Sequence, residues 1–116
     1  MSVKVDVEGE EEIYRLIAQI AEQAPIQLDA LLEETAYNIR DDAREFAPVK
    51  TGRLRRNIVV QRLRQFHYYV VSKAKYSIYV EFGTWKMHAR PFLRMAYHKN
   101  IEPLRARLSE FLMNLW

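Results

Sequence analysis

A long amphipathic pattern between Ile26 and Phe46 constrains the fold of this chain more than any other feature. Its apolar side chains recur every three or four residues, which places them on one face of an α-helix. Acidic side chains such as Glu33 and Asp41 fall largely elsewhere on that helix. The pattern therefore predicts a helix over Ile26–Phe46 with one buried face. That face consists of Leu28, Leu31, Leu32, Thr35, Ile39, Ala43 and Phe46.

Two further helical regions flank this one. The first follows Glu10, Glu11 and Glu12, whose negative charge suits a helix N-terminus. Because the residue before a proline disfavours helical backbone, Pro25 predicts a helix end or kink near Gln23. The second region begins at Pro91, and Pro103 predicts that it is either split into two helices or kinked. The apolar stripes of the two regions are Ile13, Leu16, Ile17, Ile20 and Ala24, and Leu93, Tyr97, Ile101, Leu104, Leu108, Phe111, Leu112 and Leu115.

Short alternating segments predict strands. Ile58–Leu63 and Phe66–Ser72 are expected to pair, although no Asn-Gly or Asp-Gly turn signature marks the reversal between them. Val3–Val7 alternates valine with charged residues and predicts a short strand at a sheet edge. Tyr76–Phe82 fits both strand alternation and helical spacing, and we expect a helical turn that enters a short strand.

Composition excludes several classes of protein. The 116 residues fit one domain with one modest core. The chain has no cysteine, so disulfides and thiolate metal sites are excluded. It has no run of about eighteen apolar residues, so no helix is expected to span a membrane. The acidic start lacks an apolar core, so no signal peptide is expected.

Charge is divided unevenly along the chain, although the net charge is only +3. Residues 1–45 carry four basic and twelve acidic side chains, whereas residues 46–116 carry fourteen basic and three acidic ones. Three interpretations remain open. The two halves neutralise each other within one molecule, or the acidic face of one copy meets the basic face of the next in a head-to-tail assembly. In the third interpretation, the basic half contacts nucleic acid phosphates.

The residue pattern offers little for catalysis or for metal binding. The three glycines lie far apart, so no phosphate-binding glycine loop is present, and neither a nucleophile elbow nor a zinc motif occurs. The histidines fall on a predicted strand, a loop and a helix, which argues against a shared metal site. They are His67, His88 and His98.

Glu81 is the one residue whose setting suggests acid–base chemistry, because it lies among aromatic side chains. The favoured interpretation is structural: the carboxylate pairs with one of the many arginines, for example Arg53 or Arg90. We therefore expect no catalytic residue, no cofactor and no metal ion. An enzyme would require Glu81 and His88 to meet in a deep pocket.

The segment between Ala47 and Gly52 has the composition of a turn. Pro48 cannot continue the preceding helix, and Gly52 permits a positive φ. Thr51 is a candidate cap for a short helical turn over residues 53–57. The arginines crowded there are either a solvated face paired with the acidic helices or a docking patch for an acidic partner or a DNA backbone. They are Arg53, Arg55 and Arg56.

The loop over residues 85–90 has the composition of a contact surface. Lys86, His88 and Arg90 make it basic, and Trp85 and Met87 lie between them. Such a loop suits nucleic acid, through stacking and phosphate contacts. It suits a protein partner equally well, because Trp, Met and Arg are common anchors at protein interfaces.

Two sequence blocks carry a resemblance to a known family. The first is APVKTGRLRRNI, residues 47–58, and the second is YSIYVEFGT, residues 76–84, followed by Met87 and by ARPFLR at residues 89–94. In this order, after a helical N-terminal half, they resemble the neck or tail-completion proteins of long-tailed bacteriophages and prophages, also described as head–tail joining or minor tail components. The resemblance covers residues 26–116. Trp85 departs from the small residue usual in the family, and Met95 lies near a position that often holds a further proline.

The resemblance implies an α+β fold for one domain over residues 1–116, in which N-terminal amphipathic helices and a C-terminal helix pack on a small antiparallel sheet. It implies a structural role in the virion, with assembly in the host cytoplasm and without enzymatic activity or a membrane. The expected partners are phage connector and tail proteins, together with further copies of the chain in a ring. Basic side chains that line a channel would tolerate passing DNA. A small basic nucleic-acid-binding or regulatory protein is the alternative.

The resemblance also suggests roles for individual residues. A turn set by residues 48–52 would aim Arg53 and Arg56. Residues 81–84 would fix the base of the loop, and residues 85–90 would reach a neighbouring subunit or connector protein. Residues 90–93 would anchor the C-terminal helix. The candidate contact residues are Arg53, Arg56, Glu81, Trp85, Lys86, Met87, His88 and Arg90. The candidate structural residues are Pro48, Thr51, Gly52, Phe82, Gly83, Thr84, Pro91 and Phe92.

Overall fold

The computed structural model describes residues 10–48 and 52–115 of the chain. Within these ranges, a two-stranded antiparallel sheet and five helices confirm the expected α+β class. The strand predicted at Val3–Val7 and the cap predicted at Thr51 lie outside the described residues. In chain order the elements are α1 Glu11–Gln23, α2 Pro25–Phe46, α3 Arg53–Arg56, β1 Ile58–Arg64, β2 His67–Ser72, α4 Ser77–Phe82 and α5 Phe92–Asn114.

Pro25 separates α1 from α2, as its position in the sequence predicts. The N–H of Ala24 donates to the carbonyl of Ile20 at 2.8 Å and closes α1. Pro25 then occupies the first turn of α2, where its missing N–H costs no helical hydrogen bond. Helix α2 packs against α1, α5 and both strands, so its long apolar face organises the molecule.

Two side chains of α2 hold the β1–β2 hairpin in place. Near the C-terminus of α2, the Arg44 guanidinium donates to the carbonyl of Ile58 at 3.2 and 2.8 Å. Near the N-terminus of α2, Asp29 accepts the N–H of Phe66 at 2.8 Å and the hydroxyl of Tyr68 at 2.9 Å. Phe66 has a φ of 70° and lies in the reversal, so β2 begins one residue later than predicted. The hairpin therefore lies along α2 with both of its ends tied.

The core consists of two clusters along a molecule of 54 × 23 × 20 Å. One cluster lies at the C-terminal end of α2, where the first turns of α5 meet β1 and α3. The other lies where α1 and the second half of α5 pack on the first half of α2. Their buried apolar members are Ala43, Ala47, Leu54, Ile58, Ala74, Phe92, Leu93 and Ala96 in the first cluster, and Ile13, Ile20, Ala24, Leu28, Leu32, Leu104 and Leu108 in the second.

One secondary-structure prediction is corrected. Residues 77–82 are helical throughout, as α4, and do not enter a strand; only an isolated bridge between Thr84 and Met87 follows. Of the two alternatives predicted at Pro103, a split is excluded, because helix α5 is continuous through this residue. Pro103 is exposed, whereas its neighbour Leu104 is buried. Burial along this face of α5 offsets the hydrogen bond that proline removes.

Ion pairs within one molecule join the two halves of the chain. Four of the seven ion pairs among the described residues link an acidic residue before position 45 to a basic residue after it. For the eight side chains in these pairs, this supports the interpretation that the two halves neutralise each other within one molecule. The four are Asp29–Arg62, Asp42–Lys99, Glu12–Arg105 and Glu34–Arg107. Among residues 10–48 and 52–115, no helix is long and apolar enough to cross a membrane.

Candidate interaction surface

The candidate surface lies at the end of the molecule formed by α3, α4 and residues 83–91, which we call the loop end. Helix α4 begins it. Its two completely buried residues, Ser77 and Glu81, are polar, whereas Ile78 and Val80 are half-buried against the core, and its outward face is aromatic. The Tyr79 and Phe82 side chains are 52% and 55% exposed. Helix α4 therefore presents large apolar surface to solvent.

Gly83 ends α4 and turns the chain back onto it. Its backbone has φ 78° and ψ 175°, a region that only glycine occupies readily. A Cβ at this position would lie 2.8 Å from the backbone N of Ala89 and 2.9 Å from the carbonyl O of Met87. Glycine is thus required both by the backbone angles and by the close approach of the returning chain.

Trp85 and Lys86 form the tip of a tight turn. The backbone groups of Thr84 and Met87 exchange hydrogen bonds at 2.9 and 3.2 Å, and the Thr84 hydroxyl accepts the N–H of Lys86 at 3.2 Å. The Trp85 side chain is 90% exposed, and the Lys86 ammonium lies 4.7 Å from the centre of its ring. The hydrogen bonds of the turn fix the backbone that carries the indole, so little backbone entropy is lost on binding.

Arg90 and Pro91 attach the far side of the loop to the core. The N–H of Arg90 donates to the carbonyl of Val80 at 2.8 Å, and its Nε donates to the carbonyl of Phe46, the last residue of α2, at 2.6 Å. Pro91, with φ −77° and ψ 68°, forms an inverse γ-turn that ends at the buried Phe92. The loop is therefore anchored to α2, α4 and α5.

Glu81 is buried rather than presented to a partner. One carboxylate oxygen accepts the backbone N–H of Leu93 at 2.9 Å, and the other pairs with Arg94 Nε at 2.9 Å. The expected pairing with an arginine is present, but the arginine is Arg94 and not Arg53 or Arg90. Since both oxygens are used within the fold and none of the side chain is exposed, Glu81 positions α5 against α4.

Helix α3 adds basic charge to the loop end. Gly52 precedes it with a φ of 76°, as its place in the turn predicts, and Leu54 anchors it in the core. Arg53 and Arg56 are exposed. No ion pair joins Arg55 or Arg56 to an acidic residue within the described ranges, so the interpretation of α3 as a face paired with the acidic helices is not supported for these two.

Most of the candidate residues gather at this one end. Thr84, Trp85, Lys86, Met87, His88 and Arg90 are all exposed, and Gly83, Pro91 and Phe92 shape the backbone that carries them. Sequence reasoning missed Tyr79 and Arg94. Tyr79 is three residues before Phe82 and shares its face only if residues 77–82 are helical. The Arg94 guanidinium lies 4.9 Å from the centre of the Phe82 ring and extends the basic charge toward the aromatic face.

A comparison with protein-family models assigns the chain to a phage family. Residues 11–83 match the HK97-gp10-like model, described as "Bacteriophage HK97-gp10, putative tail-component". The match covers nearly two thirds of the chain and includes the first sequence block and most of the second, whereas residues 84–116 lie beyond it. Searches of curated proteins and of solved structures gave no match. The chain therefore belongs to the bacteriophage HK97-gp10-like family.

Proposed function

We propose that this protein is a non-catalytic component of the head–tail joint of a phage, where it docks to connector and tail proteins and forms a ring with further copies of itself. The family match supports a structural role in the phage tail, and hence a place in the virion. The location at the head–tail joint, the ring and the binding partners go beyond the family match and are what we propose. The observation that carries it is the Trp85 indole, 90% exposed on an anchored turn.

The loop end has the features of a binding surface for protein. Tyr79, Phe82, Trp85 and Met87 are all large apolar side chains with substantial exposure. Aromatic residues and Met are enriched at protein interfaces, and a central Trp often contributes more to binding than its neighbours do. The anchored backbone around Trp85 reduces the conformational entropy lost on docking, which favours affinity.

Exposed charges without an ion pair among the described residues support contacts between copies. Arg56 at the loop end, and Lys73 and Lys75 between β2 and α4, have no ion pair with an acidic residue among the described positions. On α1, Glu11 and Glu22 are exposed and likewise lack an ion pair with a described residue. Basic and acidic side chains on separate elements of one chain suit a head-to-tail contact, which closes into a ring when the rotation between copies allows it.

The same unpaired cations support weak contact with passing DNA. Contacts to phosphate neutralise backbone charge without reading sequence, so this binding would weaken steeply with salt. The alternative, a small nucleic-acid-binding or regulatory protein, predicts DNA or RNA binding with a Kd on the order of micromolar or lower and a steep salt dependence, and no binding at low salt would exclude it.

Light scattering across a salt series tests the proposal, with the protein alone and with the connector and tail proteins of the same phage. A discrete ring, or a complex that forms only with a connector or tail protein, is the expected result. A protein that stays monomeric and binds none of them would contradict the proposal. Salt-sensitive DNA binding in that case would favour the alternative.

A further inference from the structure

A groove of about 590 Å³ lies between β2 and α5, away from the loop end. Its floor is apolar and is formed by Leu32, Ala36 and Ile39 of α2, with Leu93 and Leu104 of α5 on one side. The opposite side is formed by five consecutive residues, Phe66 to Val70. Four of these five residues begin β2. Because successive side chains of a strand point to opposite faces, a groove lined by all four runs along the edge of β2.

This edge of β2 has no strand beside it in the described part of the chain. The sheet there has two strands, so the only strand partner of β2 is β1. An unpaired edge exposes backbone N–H and C=O groups and readily accepts a further strand. An apolar floor beside such an edge favours a strand whose one face is apolar, since the backbone pairs with the edge while alternate side chains enter the groove.

Glu10 adds a second indication that the groove is incomplete. It lies at the rim and uses one carboxylate oxygen to accept the Tyr97 hydroxyl. Its other oxygen, Oε1, is buried and has no hydrogen-bond donor among the described residues. Buried carboxylate oxygens are almost always hydrogen-bonded, so a donor is expected from whatever fills the groove.

We propose that the groove is an acceptor site for a third strand and that its occupant is the Val3–Val7 segment of the same molecule. This segment lies outside the described residues, and the chain reaches the groove rim at Glu10, three residues after Val7. Val3, Val5 and Val7 alternate with Lys4 and Asp6, which gives the segment one apolar and one charged face. Five residues of strand span about 17 Å, enough to lie beside the four β2 residues of the groove wall, which span about 14 Å.

A spin label placed on the charged face of the segment tests this proposal in the full chain. The chain has no cysteine, so Asp6→Cys provides a single labelling site. The expected result is strong attenuation of the backbone amide signals of β2, relative to the same sample with the label reduced. Unchanged β2 signals would overturn the proposal.

Two companion measurements separate docking from other causes. Adding Val3→Asp, Val5→Asp and Val7→Asp together to the labelled chain should abolish the attenuation of the β2 amide signals. Adding Lys4→Glu instead should preserve it. Equal attenuation in the two variants would contradict docking by the apolar face. Unchanged amide signals from α3 and α4, which do not line the groove, establish that each variant is folded. Attenuation that appears only when labelled chains are mixed with isotope-enriched unlabelled chains would place the segment of another copy in the groove and would overturn the proposal as stated.

Discussion

The completely buried carboxylate of Glu81 accepts the backbone N–H of Leu93 and pairs with Arg94, each at 2.9 Å. It thereby supplies a partner to an N–H in the first turn of α5, which has no acceptor within the helix. Arg94 also donates to the carbonyl of Glu81 at 2.9 Å, so the two side chains tie α4 to α5 on both sides of the loop. The position of the Trp85 turn depends on this contact.

Glu81→Ala should destabilise the fold markedly. The change leaves a buried N–H without an acceptor and an arginine without its partner, at a cost of about 2 to 4 kcal/mol in the free energy of unfolding. The Arg94 side chain is 40% exposed, so water compensates part of the loss. Chemical denaturation measures the change. Glu110→Ala, at an exposed position, is the control, and equal losses in the two variants would contradict the structural role of Glu81.

The two glycines with positive φ should differ in their tolerance of asparagine. At Gly83 a Cβ meets backbone atoms at 2.8 and 2.9 Å, and ψ is 175°, so Gly83→Asn should cost about 2 to 3 kcal/mol or more. At Gly52 the nearest atom is the flexible end of Arg56, and φ 76° with ψ −10° lies closer to the left-handed region that asparagine tolerates. Gly52→Asn should cost about 1 kcal/mol. Thermal denaturation of both variants checks the order, and a larger loss at Gly52 would contradict it.

Asp29 should make the hairpin sensitive to acid. Burial acts to raise the pKa of Asp29, but the Phe66 N–H, the Tyr68 hydroxyl and the Arg62 guanidinium together outweigh it and lower that pKa. A lowered pKa in the folded state means that the ionised carboxylate contributes stability above its ordinary pKa, and that this contribution is lost as the pH falls through about 4 and below.

Comparison of the native chain with Asp29→Asn tests this dependence. At pH 7 the native chain should be more stable by about 1 to 2 kcal/mol, because the variant weakens hydrogen bonds to a charged acceptor. The difference should shrink as the pH falls below about 4. If the difference in the free energy of unfolding between the native chain and Asp29→Asn did not change with pH, the contribution of Asp29 would not depend on its charge, and the prediction would be wrong.

Pro103→Ala should stabilise the protein. Pro103 is exposed within α5 and cannot donate to the carbonyl of Lys99 one turn earlier. Restoring that N–H and the preference of alanine for helix should raise the free energy of unfolding by about 1 to 3 kcal/mol. Urea denaturation measures the gain. No gain, or a loss, would indicate that α5 has already adapted its backbone to proline.

The predictable parts of the fold are those in which apolar periodicity coincides with burial. The apolar stripe from Leu28 to Phe46 correctly predicted α2. The alternation over residues 58–63 and 66–72 predicted both strands of the hairpin to within one residue at each end. Helix α4 was not fully predicted because its buried face carries Ser77 and Glu81, and its exposed face carries aromatic residues. Apolar periodicity therefore does not mark the buried face of α4, and the contacts of Glu81 to Leu93 and Arg94 are not visible in the sequence.

Charged residues that organise the backbone were also beyond prediction from the sequence. Asp29, Arg44 and Arg90 look like residues of a solvated surface, yet each bonds to a backbone group far away in the chain. The sequence separations are 37, 14 and 44 residues, so no local pattern signals them. The exposure of the loop over residues 85–90 agrees with its composition, in which Trp, Met and basic residues occur together, and its role as a contact surface stays a prediction.

The affinity of the Trp85→Ala variant for the connector or tail protein that binds the native chain is the most direct test of the proposed docking surface. We expect a loss of at least about 30-fold, since a central interface Trp typically contributes 2 kcal/mol or more. Met113→Ala, a control at a side chain that is 74% exposed on the last turn of α5, should bind like the native chain. Native affinity in Trp85→Ala, or an equal loss in both variants, would contradict docking through the loop end.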